Sequence, residues 1–229
     1  MKKVLRIALI LILVALTGGM VYLSMLAPII TGYAAKNLSS GVFVSGRSQE
    51  SLEQEDLNFS FIKFNRNKVD REKGEVVSRF LFWKSKAVYN EGLGCTLVRD
   101  FDQEEVLAMD YPAVSLPEVN PDTLAWPAGD LVADTVPPGI DMEKLQAVMD
   151  QAFADTTGWK GTFGLTVVYK DQIVAERFRS DFTRETPFLS WSMAKSFTNA
   201  ITGLLVKEGR VDIYAPVPRP EWAGDARRE

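Results

Sequence analysis

The chain has 229 residues, 46% hydrophobic and 24% charged, the proportions of an ordinary globular protein. Its net charge is -4, and setting aside the first 35 residues, with Lys2, Lys3 and Arg6 and no acids, leaves the rest at -7. So acidic a body excludes nucleic acid as the main partner, because phosphate binding needs a basic surface. The absence of histidine excludes Ser-His-Asp and Cys-His catalysis and any histidine-based zinc site. The single Cys95 excludes an internal disulfide and a thiol metal cluster, and no cofactor or metal is expected.

The first element follows the basic start MKKVLR. Residues 7–30 carry no charge and include the run IALILILVAL. As a helix these 24 residues extend about 36 Å, enough to cross a hydrocarbon core of about 30 Å. A secretory signal has a shorter apolar core, about 7–15 residues, so a retained signal anchor is the first reading. Cleavage stays open, because Gly32-Tyr33-Ala34 offers small residues where a signal peptidase needs them. The three cations belong on the cytoplasmic side. The expectation is therefore a single-pass protein of the cell (inner) membrane, its bulk periplasmic, or a secreted one if the signal is cut. Residues 1–35 form this segment, and the lipid bilayer is its partner.

Residues 36–110 read as a small β-rich module. GVFV, LNFSFIKF, EVVSRFLFW and KAVY are aromatic and β-branched runs, separated by polar clusters such as NRNKVDREKG. Phe59, Phe61, Phe80, Phe82 and Trp83 are expected in its core, and Cys95, within GLGCTLV, is expected to be a buried thiol. Residues 111–139 form a proline-rich linker running over a surface. From 140 onwards the pattern is helix, hairpin, helix. DMEKLQAVMDQAFAD places Met142, Leu145, Val148, Met149, Ala152 and Phe153 at helical spacing, with Asp141 as N-cap. TFGLTVVYK and QIVAERF pair as a hairpin, and a second helix spans 192–208 with Gly209 as its stop. The fold class is α+β.

Two Ser-x-x-Lys matches occur, Ser60/Lys63 and Ser192/Lys195, where chance gives about 0.8 from fourteen serines and thirteen lysines. Ser60 and Lys63 lie in a run read as a strand, where residues three apart face opposite ways. Ser192 and Lys195 lie on a helix, one turn apart on one face. Ser196 and Asn199 fall beside them, while Met193, Phe197, Ala200, Ile201, Leu204 and Leu205 occupy the other side. A solvated polar stripe fits that pattern equally well. A serine in the first helical turn also sits among unpaired backbone N–H groups, and a lysine held there without water can become a neutral base. Among other candidates, Glu53, Glu55 and Asp56 lack the spacing of a calcium loop and read as a solvated acidic loop. Trp126, Trp159 and Trp191 read as packed residues ahead of a sugar platform. Gly161 and Gly164 mark a turn, since no Gly-Lys-Ser/Thr follows.

The run SWSMAKSFTNAITGLLVKEGRVD resembles the nucleophile helix of the serine β-lactamase and penicillin-binding protein superfamily. It is most similar to the class C-type branch, which includes esterases and aminohexanoate-oligomer hydrolases. The preceding helix and hairpin stand in the order of that family. AVYNEGLGCTLV and LAWPAGD are similar to the leader of its membrane-attached members. The resemblance implies a β-lactamase-like antiparallel sheet flanked by helices, of which residues 140–229 would be the N-terminal part. It implies Ser192 as acylated nucleophile, Lys195 as proton acceptor and the Ser192 N–H as half of an oxyanion hole. The substrate would be a small amide, ester or lactam, and the alternative is a non-catalytic cell-envelope binding module of the same fold. The family also carries a downstream Tyr-x-Asn and a late Lys-Thr-Gly or His-x-Gly. Neither follows Ser192, where 37 residues remain; Tyr214 precedes Ala-Pro, Tyr89-Asn90 lies upstream, and Lys160-Gly161-Thr162 has the wrong order. The expectation is thus a truncated chain, inactive by itself.

Overall fold

The computed structural model describes residues 2–110, 119–154, 161–216, 219–222 and 224. It is an α+β protein in two compact units, Met1–Pro187 and Phe188–Glu229.

The first unit begins with a single helix, α1 (Lys2–Phe43), 42 residues and about 63 Å long. Its two halves have different surroundings. Up to residue 26 its described side chains are exposed or half-exposed; from Ala27 onwards one face is covered, and at residues 37–42 the helix is covered all round. Ala27, Thr31, Ala34, Ala35, Leu38 and Val42 recur at spacings of three, four and one, the pattern of one helix face, and none exceeds 3% exposure. Four of the six are alanine or threonine. Small side chains let the helix axis come close to the sheet it crosses.

That sheet is an antiparallel meander in the order β1 (Arg66–Asp70), β2 (Glu75–Phe80), β3 (Trp83–Asn90), β4 (Gly94–Val98). Val76, Ser78 and Phe80 alternate on β2 as its buried side, which is the face turned to α1. The direction of β3 along α1 is fixed at both ends. Thr31 and Ser85 share a hydrogen bond of 2.7 Å, and the rings of Phe43 and Tyr89 stack 5.6 Å apart. Cys95 on β4 is free and buried.

Three readings of the sequence are corrected here. GVFV is the last turn of α1 and the residue after it, because Leu52 of α2 (Gln49–Glu55) packs directly on Gly41 and holds that turn helical. LNFSFIKF is a turn: Ser60 has φ +46° and residues 62–64 form one turn of 3-10 helix. The strand lies in the next residues, the polar RNKVD. As the outermost strand, β1 needs only every second side chain half-buried, so hydrophobicity did not mark it. The expected aromatic core is also only partly one. Phe80 is buried, but Phe59, Phe61 and Phe82 are 45%, 50% and 67% exposed.

A short helix, α3 (Gln103–Leu107), closes the sheet with a reciprocal capping box between Asp102 and Glu105. Of the expected linker, residues 111–118 lie outside the described residues. Residues 120–131 form a tight loop, closed by Trp126 N–H to Leu131 O (3.0 Å) and Asp130 N–H to Pro121 O (2.9 Å). α4 (Met142–Phe153) starts at Asp141, whose carboxylate accepts from the Lys144 N–H at 3.0 Å. Met149 is its buried residue, whereas Val148 is 58% exposed. β5 (Gly164–Tyr169) and β6 (Gln172–Phe178) form the hairpin, turning at Lys170 and Asp171, both at positive φ. Arg177 on β6 reaches back to α4, to Asp150 (2.7 Å) and Gln146 (2.9 Å).

The acids read as a solvated loop are engaged. Arg47 donates to Asp56 (2.6 Å) and Glu55 (3.1 Å), and Arg179 donates to Glu55 (2.9 Å) and Asp181 (2.7 Å). Both guanidinium groups also lie over the stacked rings of Phe163 and Phe182. The bond to Asp181 first, then Glu55, raises the Arg179 pKa, and Arg179 in turn holds the Asp181 carboxyl below its ordinary value.

In the second unit one turn of 3-10 helix at residues 191–193 leads into α5 (Ala194–Lys207). Gly209, at φ +69°, ends it: the Arg210 N–H donates to Leu205 O and the Gly209 N–H to Val206 O, both within 3.0 Å. This is a Schellman closure, and glycine is the residue that takes its left-handed position without strain.

Candidate functional site

Ser192 sits in the 3-10 turn and Lys195 in the first turn of α5, three residues on. The helical rise brings them together, and the Lys195 Nζ donates to the Ser192 Oγ at 2.9 Å. The pair meets the heavy-atom distance for direct proton transfer.

Two features of the backbone surround it. No side chain caps the helix start at Ser190 or at Met193, so the Ser192 hydroxyl is not consumed as a cap. The 3-10 turn takes up the Met193 N–H, which donates to Ser190 O at 2.9 Å, and the Ala194 N–H, which donates to Trp191 O, so any outward-facing donor of the start lies before Met193. Immediately before the serine, Trp191 has φ +46°. A non-glycine residue in that region carries strain of about 1–3 kcal/mol, and such strain gathers at functional positions. Nothing in the residue pattern around Ser192 signals it.

The surroundings differ from those expected. Ser192 and Lys195 are both exposed within this unit, as are Ser196 and Asn199, and α5 has no buried residue. Phe197, Ile201 and Leu204, on the apolar side of the helix, are 69%, 58% and 59% exposed. Among the described residues no carboxylate pairs with Lys195. The 2.9 Å contact between the two side chains is thus open to solvent. A lysine acting as base would keep the same contact with the proton on the oxygen side.

The remaining candidates fall elsewhere. Ser60 and Lys63 do not share a strand, so facing does not exclude them; they make no hydrogen bond to each other among the described residues, and the Lys63 ammonium lies 5.3 Å over the Phe64 ring. Tyr89 stacks on Phe43, and the Asn90 amide donates to the carbonyls of Val106, Leu107 and Met109, closing the end of α3. Tyr214 is 91% exposed. Trp126 lines a cleft of about 250 Å³ with Asp130 and the ion pair of Arg184 with Glu176, Trp191 belongs to the second unit, and Trp159 lies outside the described residues, as does Lys160. Among the described residues no group of three or more acids or cysteines is arranged to hold a metal.

No family model, no curated protein and no solved structure matches the chain. Among the described residues one helix, Lys3–Phe43, is long and apolar enough to cross a membrane.

Proposed function

We propose that the protein is a membrane-anchored, extracytoplasmic serine hydrolase of the serine β-lactamase and penicillin-binding protein type, acting on a small amide, ester or lactam. The observation that carries the reading is the 2.9 Å contact between the Lys195 amine and the Ser192 hydroxyl at an uncapped helix start. In the first step the Ser192 Oγ forms a bond to the substrate carbonyl carbon, and its proton passes to a neutral Lys195 Nζ. The C–N or C–O bond to the leaving group then breaks, and the same proton leaves with the departing amine or alcohol. Water releases the acyl group by the reverse route. The backbone N–H of Ser192 is one donor to the oxyanion. Strain at Trp191 and the order α4, hairpin, α5 support the superfamily assignment. For the lysine to begin neutral, the pair must be covered when substrate is bound, since removing water favours the uncharged amine.

The retained anchor is supported by the packing of α1. Cutting after Ala34 would remove Ala27, Ile30, Thr31 and Ala34, all at or below 6% exposure, from the helix–sheet core. The cations Lys2, Lys3 and Arg6 then stay cytoplasmic and the sheet lies outside.

One observation favours a second reading, a cell-envelope binding module: Lys195 and Ser192 are both exposed, with nothing of their own unit covering them. A fluorophosphonate or β-lactam probe applied to the native full-length protein separates the two. Covalent mass on the peptide carrying Ser192, absent in Ser192→Ala, is expected of the hydrolase. Peptide binding without any adduct would overturn it in favour of the binding module.

A further inference from the structure

Four exposed apolar side chains and four cations of the first unit gather at one end of the sheet. Ser85 is level with Thr31, and β3 continues from it towards Tyr89 and Phe43. The start of β3 and the β2–β3 turn therefore point back along α1 towards its uncovered half. From Ser85 to Phe82 is three residues, about 10 Å of strand, which equals about seven residues of helix. The turn thus lies level with about residue 24 of α1, where Met25 is 71% exposed. Residues 7–26, the uncharged and uncovered part of α1, span about 30 Å, the thickness of a hydrocarbon core. The turn stands where that core would end.

The side chains at this end are what a headgroup layer accepts. Leu81 and Phe82 at the turn are 62% and 67% exposed, and Phe61 and Phe64 are 50% and 60%. The segment carrying Phe61 and Phe64 lies beside this turn: the Phe61 ring is 6.3 Å from that of Phe80, and Phe64 lines one cleft with Arg79 and Leu81. Behind this apolar rim runs a row of like charge. The strand register sets Arg66 opposite Arg79 and Arg79 opposite Lys84, three cations side by side across β1, β2 and β3. Like charges directly opposite one another are destabilising without a counter-charge. Among the described residues none of the three, nor Arg99, has a carboxylate partner. A cleft of about 620 Å³ opens around the first residues of β3, with Trp83, Lys84, Arg79 and Arg99 among its walls.

We infer that this end of the module docks on the bilayer that α1 crosses, inserting Leu81, Phe82, Phe61 and Phe64 among the headgroups and binding anionic phospholipid phosphate through Arg66, Arg79, Lys84 and Arg99. Charge complementarity and continuity with the membrane-crossing helix name the occupant. A leaflet bearing anionic lipid supplies the missing counter-charge and accepts the apolar rim in one contact. The inference rests on the anchor half of the proposed function and is independent of the chemistry at Ser192.

The test is amide hydrogen exchange of the full chain in lipid nanodiscs of phosphatidylcholine alone or mixed with phosphatidylglycerol. Exchange at residues 59–66 and 79–84 should slow several-fold in the anionic discs, and high salt should restore it. The double variant Arg79→Glu/Lys84→Glu should lose the difference between the two lipids while residues 85–88 keep their protection, which shows the sheet intact. Equal exchange of the wild-type chain in both lipids would overturn the inference and leave the anchor standing. Protection by soluble glycerophosphate in the neutral discs would equally overturn it, since a free phosphate would then be the ligand. A chain that never enters the discs overturns the anchor and this inference together.

Discussion

Helices α1 and α5 each carry an apolar stripe, but only α1 has a layer of structure laid on it. Along its C-terminal half Ala34, Ala35 and Leu38 are fully buried under a four-stranded sheet. On α5 the comparable residues Phe197, Ile201 and Leu204 remain exposed, and the chemically suggestive pair sits on the same bare helix. The difference separates two things a motif needs. Spacing alone brings Ser192 and Lys195 within reach of each other, and they meet at 2.9 Å, because residues one helical turn apart are neighbours on one face. Making the lysine a base takes a covering layer, and periodicity supplies none.

The largest effect that would break this comparison is chemical. If the bare pair is catalytic, Ser192→Ala abolishes probe labelling of the full-length protein and Lys195→Ala slows it by about 10²–10⁴, the usual worth of a general base. Lys195→Ala labelling as fast as the wild type would remove the lysine from the mechanism.

Next in size is the contrast in packing. Leu52→Ala takes a fully buried side chain from the core around α1 and should cost about 2–5 kcal/mol in urea unfolding. Ile201→Ala on α5 should change stability by about 0.5 kcal/mol or less. Equal losses at the two sites would mean that the apolar face of α5 is covered in solution.

Two glycines sharpen the same point. A Cβ at Gly41 would stand 3.0 Å from the Leu52 Cγ, closer still to its methyls, so Gly41→Ala should destabilise by about 1–3 kcal/mol. At Gly203 a Cβ meets nothing within 4 Å, and Gly203→Ala should stabilise α5 by about 0.5–1 kcal/mol, read as a rise in helix content and melting temperature.

The smallest effect is a pH dependence confined to the packed half. Glu75 accepts from Gln103 at 2.6 Å and lies 3.3 Å from the Lys86 ammonium, so its pKa is held below the ordinary value, chiefly by the Gln103 bond. The folded state therefore binds this proton less readily than the unfolded one. The contribution is complete above the ordinary glutamate value of about 4.3 and is lost as pH falls through the folded value. Glu75→Gln should flatten the acid limb of the stability curve, and an unchanged limb would assign it to other carboxylates.

Some of the fold was legible residue by residue. The Asp141 cap, the helix it starts, the hairpin around residues 170–172 and the Gly209 stop all rest on neighbours within a few positions, and all occur. GVFV and LNFSFIKF depart from their local pattern for the converse reason. Their β propensity was outweighed by contacts from elsewhere in the chain, from Leu52 on Gly41 and from Ile30 and Tyr33 on the Phe59–Asn65 turn. β1 was passed over because an outer strand needs little hydrophobicity. The basic row on Arg66, Arg79 and Lys84 went unseen because it exists only through strand register.

By itself the sequence determined the membrane-length helix, the α+β class and the contact between Ser192 and Lys195, since each depends on composition or on spacing within a turn or two. Tertiary structure alone decided that half of α1 is a core helix, that four aromatic and aliphatic side chains form a rim, and that three cations line up across a sheet. Those outcomes depend on which distant segments meet, and periodicity along a chain carries no record of that.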